Sequence, residues 1–278
     1  MTPTMPKPEM TSPRLLIFVA HYPPAFLGGG PARTIQAMVR HSLRASEVRI
    51  ITSDTDHGAG QPLDVPHNAW TARDGTKVWY ASTNKIQTLA KTFQAAAHLR
   101  PDYIYINSLF NPVFSILPLT LRRVGYWNDA QVVLAPRGEL DPGALALKSW
   151  KKQLFIRLAS NAGLFRGITW HASGELEATH LKRLGLTGEV LVKENETLLP
   201  PQASIPTRAH SRHIELLYVG RISPKKQLEL LLGALLRTKG DFTLHIVGGS
   251  ADAEYQRTLQ ALAEPLGEKI VWHGAMQW

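Results

Sequence analysis

Cysteine is absent from all 278 residues, so the chain can make no disulfide and offers no thiolate to a metal. That fits a reducing compartment, and the expected address is the cytoplasm. Long hydrophobic runs are also missing. The apolar stretch from Leu15 to Ala20 is too short for a signal-peptide core, and no stretch approaches the roughly 18 apolar residues of a membrane span. The expectation is a soluble chain, at most peripheral on a membrane. Acidic residues are comparatively few: 31 Lys and Arg against 22 Asp and Glu give a formal charge of +9, which favours anionic partners without choosing among them. No H-E-x-x-H motif and no clustered Asp/His spacing appears, so the expected chemistry needs no metal and no resident cofactor. Neither G-x-G-x-x-G nor G-x-x-x-x-G-K-[ST] occurs, which excludes the dinucleotide fingerprint and the P-loop.

What is present is alternation. Apolar, β-rich runs (RLLIFVA, EVRIIT, KVWYAS, DYIYINS, QVVLAP, GITWHAS) are separated by segments of helical period: Pro31 to Leu43, Asn84 to Leu99, the segment after Asn111, Leu145 to Ser160, and Gly174 to Leu184. Continuously apolar strands between amphipathic helices predict a parallel sheet covered on both faces, a doubly wound α/β domain. A polar, Pro-rich tail (1–13) precedes it. After EVLVKE comes a Pro-rich segment without periodicity, read as an interdomain linker over 200–212. Alternation then restarts over 213–278 with IELLYVG, a helix from Pro224 to Arg237, FTLHIVG, a helix from about Ala251 to Leu266, and KIVWHG. A doubly wound half carries about six strands; three are found here, so the second domain is expected to be partial.

In open α/β sheets, ligands bind where strands end and helices begin. Four such loops stand out. In the first, Gly28, Gly29 and Gly30 precede Pro31, and free amides at that helix start can face an anion; the plain alternative is a mobile loop. In the second, Gly220 to Gln227, Ser223 and Pro224 read as N-cap and N1, which puts Lys225 and Lys226 in a first helical turn whose dipole disfavours cations. With Arg221 they make sense around a diphosphate; otherwise they are solvated lysines costing a few tenths of a kcal/mol each. The third runs from Ala135 to Gly143. Arg137 and Glu139 there either serve donor or acceptor or simply pair with each other. The fourth, Gly248 and Gly249 followed by Ser250 as an N-cap, is a donor-side loop or a tight turn. Ser173 reads as another N-cap, and His171 as a packed, hydrogen-bonded residue rather than a catalyst.

One helix has two readings. Leu147, Trp150, Leu154 and Leu158 recur at helical spacing, with Lys148, Lys151 and Lys152 placed mainly elsewhere. The stripe either covers the domain's own sheet or rests on an anionic bilayer with its lysines snorkelling.

Taken in order, the glycine loop Gly28-Gly29-Gly30, the block PRGELDPGALALKSWKK, the block WHASGELEATHLKRLG, and GRISPKKQLELLLGAL followed by LHIVGG resemble the retaining GT-B glycosyltransferases usually grouped as family 4. The resemblance spans most of the chain. It implies two Rossmann-like domains, acceptor-side over 14–199 and nucleotide-sugar-binding over 213–278. It also implies transfer, with retention, from a nucleoside-diphosphate sugar to a surface-polysaccharide or lipid-linked glycan acceptor. Arg221 and Lys226 match the cations that hold the donor diphosphate, Gly29 and Gly30 approach it from the other domain, and Gly248 and Gly249 lie nearby. Arg137 and Glu139 take the catalytic positions. Three departures are visible: Arg137 stands where many relatives carry His, Gln227 where Gly is common, and the Glu-x7-Glu motif that relatives carry beyond the point where this chain stops is missing, no two Glu residues after Arg212 being eight apart. The last implies impaired transfer and leaves a second reading, a non-catalytic nucleotide-sugar or polyanion-binding remnant. Nucleic-acid binding is not expected, because the basic residues are scattered and no recognition module appears.

Overall fold

The computed structural model describes residues 12–146, 149–198, 212–250 and 252–276, without the side chains of 146–149. The tail and linker expected over 1–13 and 200–212 therefore lie, apart from residues 12, 13 and 212, outside the described residues. The chain divides into two units, Met1–Leu198 and Leu199–Trp278.

Unit 1 is built on β1 (Arg14–Val19), α1 (Gly30–Arg40), β2 (Glu47–Ser53), β3 (Trp70–Arg73), β4 (Thr76–Ala81), α2 (Ile86–Ala97), β5 (Tyr103–Asn107), α3 (Leu117–Arg123), β6 (Gln131–Ala135), α4 (Pro142–Ala146), α5 (Ser149–Asn161), β7 (Ile168–Ala172), α6 (Glu175–Arg183) and β8 (Glu189–Val192). The eight strands run in the order β3-β4-β2-β1-β5-β6-β7-β8. All pairings are parallel except β3 with β4. Strand residues alternate between two cores. Leu16 and Phe18 of β1 point into one, with Ile104, Ile106 and Trp170, whereas Ile17 and Val19 point into the other, with Ile35, Ile50 and Val78. Burial on both faces is why these strands read as unbroken apolar runs. From β1 the chain goes outward to β2 on one side and returns to β5 on the other, so the order reverses between β1 and β5. That reversal fixes where a crevice opens, beyond the carboxyl ends of the two strands.

Several local expectations change. The edge strand β3 was not expected: it is short, half-buried, and held to β4 by a turn through Asp74 (φ 52°) and Gly75 (φ 75°). Leu145 to Ser160 is not one helix but α4 and α5. The segment after Asn111 starts with a wide turn, Pro112–Ile116, whose first amides are capped by the Asn111 side chain, before α3 begins. The face of α5 on the sheet is formed by Ile156 and Ala159, with Phe155 packed beside them. Leu147 and Lys148 lie outside the described residues; Trp150, Leu154 and Leu158 are exposed, so this part of the stripe does not cover the sheet.

Unit 2 comprises β9 (Ile214–Val219), a single 3-10 turn (Pro224–Lys226), α7 (Leu228–Leu235), β10 (Phe242–Val247), α8 (Ala253–Ala263) and β11 (Ile270–Gly274). Its strands form a parallel sheet in the order β11-β10-β9. Leu228 and Leu232 of α7 and Leu259 of α8 pack on Leu244 and Ile246 of β10. The helix expected from Pro224 to Arg237 is broken at Gln227, whose left-handed conformation (φ 52°, ψ 39°) ends the 3-10 turn and starts α7. Lys225 and Lys226 therefore stand in the 3-10 turn, outside the α-helix, and their conflict with its dipole is smaller than the spacing implied. The N-cap of α8 is Asp252, which accepts from the amides of Glu254 and Tyr255, and not Ser250.

Candidate functional site

In unit 1 the loops after β1, β5 and β6 meet at the strand reversal. The β6 loop turns through Arg137 (φ 56°) and Gly138 (φ 74°), closed by a bond from the Glu139 amide to the Pro136 carbonyl. Two positive φ angles in succession are the mark of a type I′ turn. An arginine in that conformation costs about 1 kcal/mol, which its partners must offset. Its Nε donates to Asn107 Oδ1 at 2.7 Å, one Nη to Tyr105 Oη at 2.6 Å, and the other to Asn195 Oδ1. Asn107 also donates, at 3.4 Å, to the Pro31 carbonyl at the start of α1. The Arg137 turn and the glycine loop are thus joined through one side chain at the end of β5.

Behind Arg137 runs a buried relay. His171 Nε2 lies 2.9 Å from the Lys193 carbonyl, which can only accept, so Nε2 carries the proton and Nδ1 is free to accept. Tyr105 Oη, 2.6 Å from Nδ1, donates to it and accepts from Arg137. Burial lowers the His171 pKa against the raising influence of the Lys193 carbonyl, and the Arg137 charge adds to the lowering. Burial also pushes the Tyr105 phenol up to about 12. Neutral imidazole and neutral phenol therefore hold the cation from behind. His171 is, as expected, a packed hydrogen-bonded residue.

Arg137 and Glu139 do not pair; they take different partners. Glu139 accepts from Ser108 Oγ at 2.9 Å and from the amides of Leu109 at 2.6 Å and Phe110 at 3.3 Å. Its carboxylate holds the β5 loop in place. Gly138 donates to Glu177 Oε1 at 2.6 Å, while Glu177 Oε2 accepts from the Ser173 amide and hydroxyl at 2.7 and 2.8 Å. Ser173 is consequently not the N-cap of α6. That position falls to Gly174, and the buried Glu177 reaches back from inside the helix instead.

The glycine loop is held by Asp56, whose carboxylate accepts from the amides of Phe26 at 2.8 Å and Leu27 at 3.0 Å. Gly29 (φ 72°, ψ −148°) occupies a conformation open to glycine alone and precedes α1, which has no side-chain cap and no acidic residue in its first turn. A Cβ added at Gly29 or Gly30 would meet nothing within 4 Å, whereas at Gly28 it would come within 2.7 Å of His21 Cβ. Space for a ligand is therefore found beside Gly29 and Gly30, and Gly28 is a packing requirement. Asp56 also belongs to a D-x-D triplet, Asp54-Thr55-Asp56, which corrects the reading that the chain contains none, one ground for expecting metal-free chemistry. The two carboxylates face different partners: Asp54 accepts from Ser82 Oγ at 2.5 Å, Asp56 from the loop amides. Among the described residues no group of three or more His, Asp or Glu is placed to hold a metal ion.

In unit 2 the loops after β9 and β10 are locked together. A Cβ on Gly248 would lie 1.8 Å from the Gly220 carbonyl oxygen, so only glycine permits this approach. The Ile222 amide donates to the Gly249 carbonyl at 2.9 Å, and the buried Ile222 side chain anchors the loop in the core. Arg221 and Lys226 extend from either side of that anchor and are exposed. Among the described residues no carboxylate pairs with either. The structure thus brings Arg221, Lys226, Gly248 and Gly249 to one sheet edge, and Gly29, Gly30, Arg137 and Glu139 to another in unit 1. Tyr105, Asn107, Asn195 and Asp56 were not singled out in sequence, and Glu177 was read only as complementing a helix dipole. Only Asn107 gave a signal, a polar residue closing an otherwise apolar strand.

No known protein-family profile matches the chain, and no curated protein matches it in sequence. Solved structures do match. HepE from Anabaena, crystallised with UDP and glucose, is 15% identical, aligns over 95% of this chain and 70% of its own, and superposes with a TM-score of 0.63. A glycosyltransferase from Rickettsia africae is 15% identical over 96% of this chain and 69% of its own, with a TM-score of 0.58. The catalytic domain of starch synthase IV from Arabidopsis thaliana, bound to ADP and acarbose, is 13% identical over 96% and 74%, with a TM-score of 0.58. These are GT-B glycosyltransferases. This chain has their fold, mixed α/β with a large parallel sheet in unit 1. In open α/β sheets generally, ligands bind at the carboxyl ends of the strands, where the loops just described lie.

Proposed function

We propose that the chain is a retaining glycosyltransferase that moves a sugar from a nucleoside-diphosphate donor to a surface-polysaccharide or lipid-linked glycan acceptor, acting in the cytoplasm. The observation that carries this is the cationic loop of unit 2, Arg221 and Lys226 fixed around Ile222 and against Gly249, in a chain with the GT-B fold. Charge develops on the departing diphosphate as its bond to the sugar breaks. Two cations on an anchored loop would stabilise that charge without a metal, as charges placed at a developing anion do in other electrostatic sites. In unit 1, the uncapped start of α1 beside Gly29 and Gly30 offers amides to an anion, and Arg137, pinned by three neutral partners, offers a further cation. Glu139 fixes the β5 loop and so shapes the acceptor side. HepE, which shares the fold, was crystallised with UDP-glucose, which supports a nucleotide sugar as the donor class.

A second reading, non-catalytic binding of a nucleotide sugar, is supported by the same loop, since exposed Arg221 and Lys226 can hold a diphosphate whether or not its sugar is transferred. One experiment separates the two: calorimetry with UDP, ADP and GDP, followed by transfer from a panel of radiolabelled nucleotide sugars to a membrane-lipid extract. Binding plus transfer, both lost in Arg221→Ala and Lys226→Ala, supports the enzyme. Binding without transfer supports the remnant. A folded protein that binds none of the nucleotides refutes both.

A further inference from the structure

Helix α5 has two apolar faces, and only one is used by the fold. Ile156 and Ala159 point into the sheet. Trp150, Leu154 and Leu158, each four residues from the next, form a separate stripe and are 65%, 47% and 59% exposed. Three large apolar side chains in line on one solvent-facing helix are more than scattered surface hydrophobics.

The charges around the stripe are of one sign. Between Asp141 and Glu175 the sequence contains no carboxylate but carries Lys148, Lys151, Lys152, Arg157 and Arg166. Arg157 stands beside the stripe by helical spacing, and the Lys151 ammonium lies 5.4 Å from the Trp150 ring centroid. At the far end of the helix, Arg123 from α3 reaches the Ala162 carbonyl at 3.5 Å, and Arg122 bonds the carbonyls of Arg166 and Gly167. The stretch around those two arginines, 103–128, also lacks Asp and Glu, and exposes Val124. A protein partner with a neutral apolar groove would leave these cations unanswered. An anionic lipid surface answers both features at once, taking Trp and Leu into the headgroup boundary and the Lys and Arg into the layer of phosphates.

We propose that the outer face of α5, Trp150, Leu154 and Leu158 with a rim of Lys151, Arg157 and Arg123, docks unit 1 on an anionic bilayer surface. The helix lies in the interface plane and does not span. Gln153, one turn before Arg157, lines a cavity of about 330 Å³ together with Leu140 and Pro142 of the Arg137 loop. Docking by this face therefore brings the carboxyl edge of the sheet near the membrane, where a lipid-linked acceptor would be presented. That consequence rests on the transferase reading; the docking itself does not.

The test uses the whole chain and vesicles of phosphatidylcholine alone or with one third phosphatidylglycerol, separated by flotation. The expected result is flotation with the anionic vesicles only, falling as salt rises from about 0.1 M to about 0.5 M. The triple variant Trp150→Ser, Leu154→Ser, Leu158→Ser is expected to lose roughly tenfold or more in partitioning. The pair Lys151→Glu, Arg157→Glu is expected to lose the preference for anionic lipid. All five side chains are exposed or on the rim, so the fold should persist, checked by circular dichroism and the urea midpoint. The proposal is overturned if the wild-type chain stays with neither vesicle, or if the triple variant floats as well as wild type. It is also overturned if the triple substitution abolishes self-association in sedimentation velocity and leaves flotation unchanged. Since flotation needs no nucleotide, failure here leaves the transferase reading standing, and the reverse also holds.

Discussion

Replacing Tyr105 by Phe tests whether the relay behind Arg137 carries weight. The substitution keeps the buried ring and removes one oxygen that accepts from Arg137 at 2.6 Å and donates to His171 Nδ1 at 2.6 Å. Losing the charge-assisted bond costs about 1.5 to 3 kcal/mol at most, reduced because Arg137 keeps Asn107 and Asn195. His171 Nδ1 is then left without a donor in a nearly enclosed position, at about 1 kcal/mol or more. The expected loss in unit 1 is about 2 to 3 kcal/mol. With a urea m-value of about 2 kcal/mol per M, the midpoint falls by roughly 1 M. Tryptophan fluorescence reports it well, because Trp70, Trp79, Trp127, Trp150 and Trp170 all belong to unit 1 and Trp170 adjoins His171 in β7. A double-mutant cycle with His171→Ala should give a coupling of about 1 kcal/mol. A midpoint shift below about 0.3 M, or strict additivity in the cycle, would refute the relay.

Three further outcomes are expected. His171 has a lowered folded pKa because its charged form is buried, so the unfolded state takes up the proton first. The stability it contributes is complete above its unfolded pKa near 6.5 and is lost as pH falls toward the folded value, at up to about 1.4 kcal/mol per pH unit; His171→Gln should flatten the urea midpoint's slope between about pH 6.5 and 5, and an unchanged slope counts against the buried neutral imidazole. Gly248→Ala should destabilise unit 2 by about 3 kcal/mol, since its Cβ would sit 1.8 Å from the Gly220 oxygen. Gly249→Ala, 3.4 Å from Ala275 Cβ, should be far milder; limited proteolysis within unit 2 ranks the two, and equal susceptibility argues against the close approach. Gln227→Gly should stabilise unit 2 by up to about 1 kcal/mol by relieving the left-handed backbone, read as a raised melting midpoint. A fall in that midpoint would place the cost elsewhere.

The same residue shows how much the sequence conveys. The glycosyltransferases that the sequence resembles commonly have Gly where this chain has Gln227, and the backbone at Gln227 is left-handed, a conformation that favours Gly. The cation loop was legible because glycine, serine and proline sit in order before a leucine-rich helix, although the Ser223 side chain makes no capping bond. That the helix would break between Lys226 and Leu228 was not, because Ser-Pro followed by lysines suits a continuous helix equally well. β3 escaped notice because four residues, three half-buried and one exposed, carry no period, although Asp74-Gly75 is the usual signal for a tight hairpin. Ser173 and Ser250 look like N-caps by local rule, yet α6 begins after Gly174 without a side-chain cap, Glu177 reaching back to Ser173 instead, and Asp252 caps α8. Local propensity ranks candidates, and the geometry around the helix start selects one.

The sequence by itself determined the alternation of apolar strands and amphipathic helices, the division after EVLVKE, and the loops rich in glycine or cations, because burial on both sheet faces and helix-start chemistry leave marks within a few residues. Only the tertiary structure decided that Tyr105, Asn107, His171 and Asn195 converge on Arg137. Those residues stand 30 to 58 positions from it or arrive from separate strands, and strand order, which no local pattern encodes, sets them side by side. It likewise decided which apolar face of α5 meets the sheet. A helical period shows that a stripe exists; which of two stripes is buried depends on what lies on either side.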